Sequence, residues 1–436
     1  MKNLKWWGMT SVAAVGIALA GCGGNSGSSG DSASLRIVNA TLTHPSLDLL
    51  VNAAVSVSGT ATDTVSAYVS PGAGSNTLQI NDAGGATALN TIVPTLTGGA
   101  HYTLVAYESS GAVRTVVLNE DQAVPAAGVA TLKIFDTAVD AGPIDVYIAT
   151  TACTSANISA LSPSTSFGAL TGPQAVTLTQ GAGTYNVCVT GAGSKIDLRM
   201  SLPITLASQQ VATVLMTPAS GGALLNGSML TQQAAYLSVR NTNTRVRLAS
   251  AVSGSATVSA SSSDGTAIGG GVSPAFGFYT LVPSSSTLNV SVASQSVAVA
   301  APATLPLGGD VTLLVYGNPG SATASLVVDD NRLPSVATAS KLRLINGVTG
   351  NVGTLTLTAN SAPVGINVAP GTASSYVSLT STATSSTAAN TFSFALSSST
   401  TGQLPLGASA TGTVNSSTTY SVLAVGDVSA PLLLIR

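Results

Sequence analysis

Leu35-Arg36-Ile37-Val38-Asn39 alternates apolar and polar side chains and then meets an asparagine. Period-two alternation sends Leu35 and Ile37 to a core face and Arg36 outward, and an Asn or Asp at the end opens a turn by bonding its own backbone. The stretch therefore predicts a strand running into a hairpin or loop. The same pattern returns at Leu132-Lys133-Ile134-Phe135-Asp136, Leu237-Ser238-Val239-Arg240-Asn241 and Leu342-Arg343-Leu344-Ile345-Asn346, at intervals of 97, 105 and 105 residues.

A second strand is expected at Leu47-Asp48-Leu49-Leu50-Val51, Ile144-Asp145-Val146-Tyr147-Ile148 and Leu355-Thr356-Leu357-Thr358, while the third unit has a shorter connection to Val246-Arg247-Leu248. Late in each unit stands an apolar run, residues 102–107, 211–216, 311–316 and 420–425, whose continuity marks a central strand buried on both faces. Between these landmarks lie β-branched runs broken by Gly, Pro, Asn and Ser, with no helical periodicity. The expected fold is all-β: tandem sandwiches of about 100 residues at 35–128, 129–234, 235–340 and 341–436. Solenoid periods run roughly 20 to 50 residues, well below this spacing, so separate beads on a string are expected.

The N-terminus carries an address. Lys2 and Lys5 precede a short apolar run at residues 6–18, and Leu19-Ala20-Gly21-Cys22 has the small residues and cysteine that bacterial lipoprotein processing requires. Residues 1–21 are expected to be a lipoprotein signal peptide and Cys22 the site of lipid attachment. Two or three acyl chains, palmitate among them, at about 0.8 kcal/mol per buried methylene would anchor the chain to a membrane. Gly23 follows the cysteine in place of the aspartate that retains many lipoproteins in the inner membrane, which points to the outer membrane, facing the periplasm or the cell surface. The rest of 22–34 is a Gly/Ser tether.

Composition bounds the partners. Charged residues make up 7% of the 436, against roughly a quarter in ordinary soluble domains. The net charge of −2 and the scattered cations exclude nucleic acid as an expected partner. The hydroxyl-rich surface suits an exported β-protein. Cys153 and Cys188 remain as an even pair once Cys22 is acylated, and in an exported chain they are expected to form a disulfide worth on the order of 3 kcal/mol.

The opening and closing strands, with Val117-Leu118-Asn119-Glu120-Asp121 and Pro125 leading into Leu132, resemble the domain-of-unknown-function family 4397. Residues 35–51 and 132–148 carry its apolar-basic-apolar strand, turn, and apolar-Asp-apolar strand, including Asp48 and Asp145; the third unit lacks the Asp and has a short turn. The resemblance implies an immunoglobulin-like sandwich and a cell-envelope location, and it implies no catalytic residue.

Candidate chemistry is sparse. His44 precedes Pro45 in a turn and His101 begins a strand, and neither accompanies a nucleophile motif. Glu120 with Asp121 and Asp329 with Asp330 are adjacent pairs that would point to opposite sides of a strand, which suits a solvated linker better than acid-base catalysis. With Asn119 and Asn331 they stand just before new units, where oxygen ligands could bind calcium and stiffen a junction, although no calcium-loop spacing is present. No cofactor is expected. The leading expectation is a non-enzymatic, lipid-anchored envelope protein for adhesion, matrix contact or spacing; the alternative is a binding module for an unidentified protein, peptide or glycan.

Overall fold

A computed structural model describes residues 32–109, 111–168, 173–350, 353–380 and 389–436. The signal peptide, Cys22 and nearly all of the tether lie outside them. The chain is nearly all β, arranged as tandem β-sandwiches.

In the first sandwich one sheet runs Ala112–Asn119, His101–Ser109, Ser34–Asn39, Thr64–Val65, and the facing sheet runs Ala54–Ala61, Ser46–Val51, Leu78–Asp82, Ala88–Ile92. Leu35, Ile37, Leu47, Leu49, Ile80 and Leu104 meet between the sheets, all fully buried. Each such side chain contributes about 2 kcal/mol. Every unit repeats one non-local pairing, the opening strand parallel to the late apolar strand, with Leu35 beside Tyr102, Leu132 beside Ala212, Val246 beside Val311 and Leu342 beside Tyr420.

The third unit opens later than expected. Tyr236–Val239 pairs with Leu225–Thr231 and forms the edge of the second unit's sheet. The opening strand of the third unit is Asn243–Val252, which contains the Val246-Arg247-Leu248 assigned above to a second strand; the true second strand is Thr257–Ser262. The boundary at 235 is therefore corrected to just before Asn243. The alternation around Leu237 identifies a strand, but it cannot say which sheet the strand joins.

The sandwiches are also not separate beads. Val38, Val105, Tyr107, Phe135, Leu215 and Leu230 form one apolar cluster between the first and second units. Ala249, Phe276, Leu314, Ile345, Leu423 and Val425 form its counterpart between the third and fourth. The two interfaces correspond residue by residue: Arg36 with Arg247, Tyr68 with Tyr279, Thr103 with Thr312, Tyr107 with Tyr316 and Glu120 with Asp329, then Lys133 with Arg343, Phe135 with Ile345 and Leu215 with Leu423, each offset by 208 to 211 residues. The repeating element is thus a pair of sandwiches, used twice.

Strand direction sets how the pairs stack. Ser34 lies beside His101 and Asn119 beside Tyr102, so the first sandwich begins and finishes at one end, its near end. The third and fourth do the same. In the second, the added edge strand Tyr236–Val239 carries the chain back to the far end, where Val239 pairs with Gly227. The third unit starts there. Gly221 donates to the Gly308 carbonyl, Asn331 donates to the Gly221 carbonyl and Leu333 to the Asp140 carbonyl, joining the far end of the second sandwich to the near end of the third.

Candidate functional site

Arg36 projects from the outer face of the opening strand, as its alternation requires, yet it is buried because the second sandwich covers that face. Its Nε donates to the Thr103 hydroxyl at 3.0 Å and its Nη2 to both Glu120 oxygens at 2.9 and 3.0 Å, while Nη1 reaches the Ala234 carbonyl of the second unit at 2.7 Å. The guanidinium also lies 4.8 Å from the Tyr68 ring centre. Tyr68 and Thr103 donate their hydroxyls to Glu120, and the Gln233 backbone N–H adds another bond at 2.9 Å. Burial works to raise the Glu120 pKa, but the bonds from Thr103, Tyr68 and Arg36 outweigh it and hold the carboxyl below its usual range. The Tyr68 hydroxyl is pushed up by burial and by this carboxylate.

The second pair builds the same cluster with one cation more. Arg247 donates to Thr312 at 2.8 Å and to Ser421 of the fourth unit at 2.9 Å; Arg343 donates to the same Ser421 at 3.0 Å and to the Val328 carbonyl at 2.7 Å. Asp329 is bound by Arg343, Tyr279 and Thr312, with Arg247 at 3.6 Å. Burial lowers the pKa of both arginines, and aromatic faces compensate: Arg247 lies 4.3 Å from the Phe276 ring centre and Arg343 4.5 Å from that of Tyr376.

These contacts correct two expectations. Glu120 and Asp329 are 4% and 1% exposed, so they are not solvated linker residues. They are also already paired with cations: Glu120 and Asp329 bind guanidinium groups, and Asp330 binds the Arg332 guanidinium and the Lys341 ammonium. Among the described residues no group of three or more His, Cys, Asp or Glu is gathered to hold a metal.

The remaining sequence landmarks have local partners. Asp48 accepts backbone N–H bonds from Gly84 and Gly59, each at 2.8 Å, and the Gly84 amide lowers its pKa. Asp145 accepts from Gly193 at 2.8 Å and from the Ser166 hydroxyl at 2.6 Å. The Asp of the second strand thus fastens neighbouring turns. In the fourth unit Thr356 accepts from the Asn367 N–H at 3.2 Å, within the neighbouring strand Ala362–Val368. Asn39, Asp136 and Asn346 each accept the N–H two residues on, as the turn reading requires. His44 meets Asp82 at 2.7 Å and His101 meets Asp121 at 3.0 Å. Cys153 and Cys188 form a disulfide with Cα atoms 5.5 Å apart. It holds the one-turn helix Ser155–Ser159 against Tyr147.

Among the described residues, cavities open at the junctions, and two of them bear on function. The smaller, about 610 Å³, lies beside Arg343, Lys341 and Tyr376. Lys341 uses its three N–H groups on Asp330 and on the Asp330 and Arg332 carbonyls. The larger, about 1080 Å³, is a cleft where the two pairs meet, walled by Tyr107 and Arg114 of the first unit, residues 139–143 of the second, the linker around Leu333, and residues 415–419 of the fourth. Sequence reasoning missed this site, because its walls come from segments hundreds of residues apart. Among the described residues no helix is long and apolar enough to cross a membrane.

Three solved structures are similar in part. A family 26 carbohydrate-binding module from Eubacterium rectale, in complex with maltoheptaose, has 14% identity and a TM-score of 0.17, covering 47% of this chain and 97% of its own. The product complex of the multi-modular glycogen-degrading pneumococcal virulence factor SpuA has 10% identity and a TM-score of 0.15, covering 62% of this chain and 38% of its own. The Bacillus anthracis TIE protein has 8% identity and a TM-score of 0.12, covering 89% of this chain and 66% of its own. No curated protein matches the chain. The family model for a domain of unknown function, DUF4397, matches residues 33–147, so the first sandwich together with the first two strands of the second is similar to that family.

Proposed function

We propose that this chain is a non-enzymatic protein of the bacterial cell envelope, anchored to the outer membrane through lipid on Cys22, which holds its sandwiches as one stiff body for adhesion, matrix contact or spacing. The observation that supports this reading is the pair of buried ionic clusters, Arg36 with Glu120 and Arg343 with Asp329, each placed between two sandwiches. Buried charges contribute little net stability, but displacing the fourth sandwich would part Arg343 from Asp329, and displacing the second would strip the Ala234 and Gln233 backbone bonds from the Arg36–Glu120 pair. Small-angle X-ray scattering tests the stiffness: the intact protein should scatter as one rigid body, and the profile of a flexible string would sink the reading. Protease treatment of intact and lysed cells tests the location.

A second reading, a module that captures peptide or glycan, is favoured by the cleft between the pairs. Pockets at domain interfaces are common ligand sites.

A further inference from the structure

We propose that the cleft between the two pairs binds a glycan bearing carboxylates, with Arg114 as the residue that grips the carboxylate; this rests on the second reading above. In this chain cations are almost all engaged. Among the described residues the other arginines each make an ion pair, a hydrogen bond or a stack on an aromatic ring. Among the described residues Arg114 makes none of these, and its charge is felt by the Tyr107 hydroxyl beside it. It is exposed and lines the cleft.

The duplicated architecture sharpens the point. Arg114 pairs across its hairpin with Tyr107, and the corresponding Tyr316 pairs with Thr323. The fold therefore has no need of a cation at this position. Tyr316 lies against Gly371 inside the interface between the third and fourth sandwiches; its counterpart Tyr107 is likewise buried in the first interface and also borders the cleft. No hydrogen bond is made by the Tyr107 hydroxyl among the described residues.

The opposite wall selects the ligand class. Ser335, Asn415 and Ser417 line the cleft, and their side chains make no hydrogen bond among the described residues. Hydroxyl and amide groups of this kind match the alternating donors and acceptors of sugar hydroxyls. A peptide would be expected to add along a free strand edge, but the edge strands Ala112–Asn119 and Thr411–Asn415 each reach the cleft by a single residue, Arg114 and Asn415. Arg199 and Arg245 are turned to Asp197 and Asp310, so Arg114 is left as the fork for a bidentate carboxylate.

Calorimetric titration of the full-length protein with hexagalacturonate, maltohexaose and hexaglutamate tests this, with Arg114→Gln as the variant. The expected result is that hexagalacturonate binds best, weakening about tenfold in the variant, a loss typical of one charged hydrogen-bond pair. Retained circular dichroism and melting temperature in Arg114→Gln would show that folding is not the cause. Binding of maltohexaose as tight as that of hexagalacturonate, unchanged in the variant, would overturn the carboxylate assignment and leave a neutral glycan module standing. Equal binding of hexaglutamate would overturn the glycan assignment. Binding of none of the probes would overturn both this inference and the glycan part of the reading beneath it.

Discussion

Arg343 of the fourth sandwich is bound to Asp329 of the third, and the same carboxylate stands 3.6 Å from Arg247, so one acid serves two buried cations. The first pair has one cation, Arg36, for one acid, Glu120. Removing a carboxylate from such a cluster leaves buried charge without compensation, at roughly 3 to 5 kcal/mol. Asp329→Ala should therefore destabilise the chain more than Glu120→Ala, and it should act on the second pair of sandwiches. Urea unfolding of both variants checks the order; equal losses would mean that aromatic stacking alone neutralises the second arginine.

Gly371 allows the close approach of the third and fourth sandwiches. Its φ is +75°, and a Cβ there would overlap the Tyr316 ring. Gly371→Ala should cost about 1 kcal/mol for the left-handed backbone and more for the displaced ring. In a Tyr316→Ala background the steric part should vanish. A double-mutant cycle with strictly additive losses would show that the ring is not the obstacle.

Asp136 stands where the first and fourth units have Asn39 and Asn346. Burial, with a smaller push from Asp140, raises its pKa to about 6 from 3.8, although the Ala138 N–H opposes the shift. A carboxyl whose folded pKa exceeds its unfolded one disfavours the fold when ionised. The penalty is full above about pH 6, shrinks as pH falls through that value, and is gone below 3.8. Asp136→Asn should thus be more stable than the parent at pH 7.5, by on the order of 2 kcal/mol, with the gap closing by about pH 4. Thermal unfolding across that range decides it; a gap independent of pH would assign the effect to hydrogen bonding instead.

The Cys153–Cys188 bond closes a separation of 35 residues. Restricting the unfolded chain to that loop is worth about 3 to 4 kcal/mol in the chain-entropy account. Reduction, or Cys153→Ala with Cys188→Ala, should lower stability by that amount and loosen the Ser155–Ser159 helix. Denaturation with and without reductant measures the loss, and no change would mean that the reduced chain keeps the loop closed by packing.

Much of one sandwich was legible in the sequence. Alternation at Leu35, Ile37, Leu132 and Ile134 named the core face, the terminal Asn or Asp named the turns, and the lone cysteine pair named the disulfide. The association of sandwiches was not legible. Arg36 and Arg343 point away from their own cores, and period two says only that much; whether water or another sandwich lies beyond is decided by residues far along the chain. For the same reason Glu120 and Asp329 read as linker acids until Arg36 and Arg343 were seen to reach them. Tyr236–Val239 was assigned to the wrong unit because an edge strand and an opening strand carry the same local pattern. Arg114 gave no signal at all, since its distinction is that among the described residues it makes no ion pair, hydrogen bond or aromatic stack.

Because three of the sandwiches begin and finish at one end, and only Tyr236–Val239 carries the chain across, the molecule grows upward by one storey for every two sandwiches. A storey is as tall as its strands, which at 8 residues, as in Val129–Asp136, is roughly 26 Å at about 3.3 Å per residue. Deleting a single sandwich would not shorten such a tower by a quarter; it would leave one storey half-built, with a greasy wall facing water.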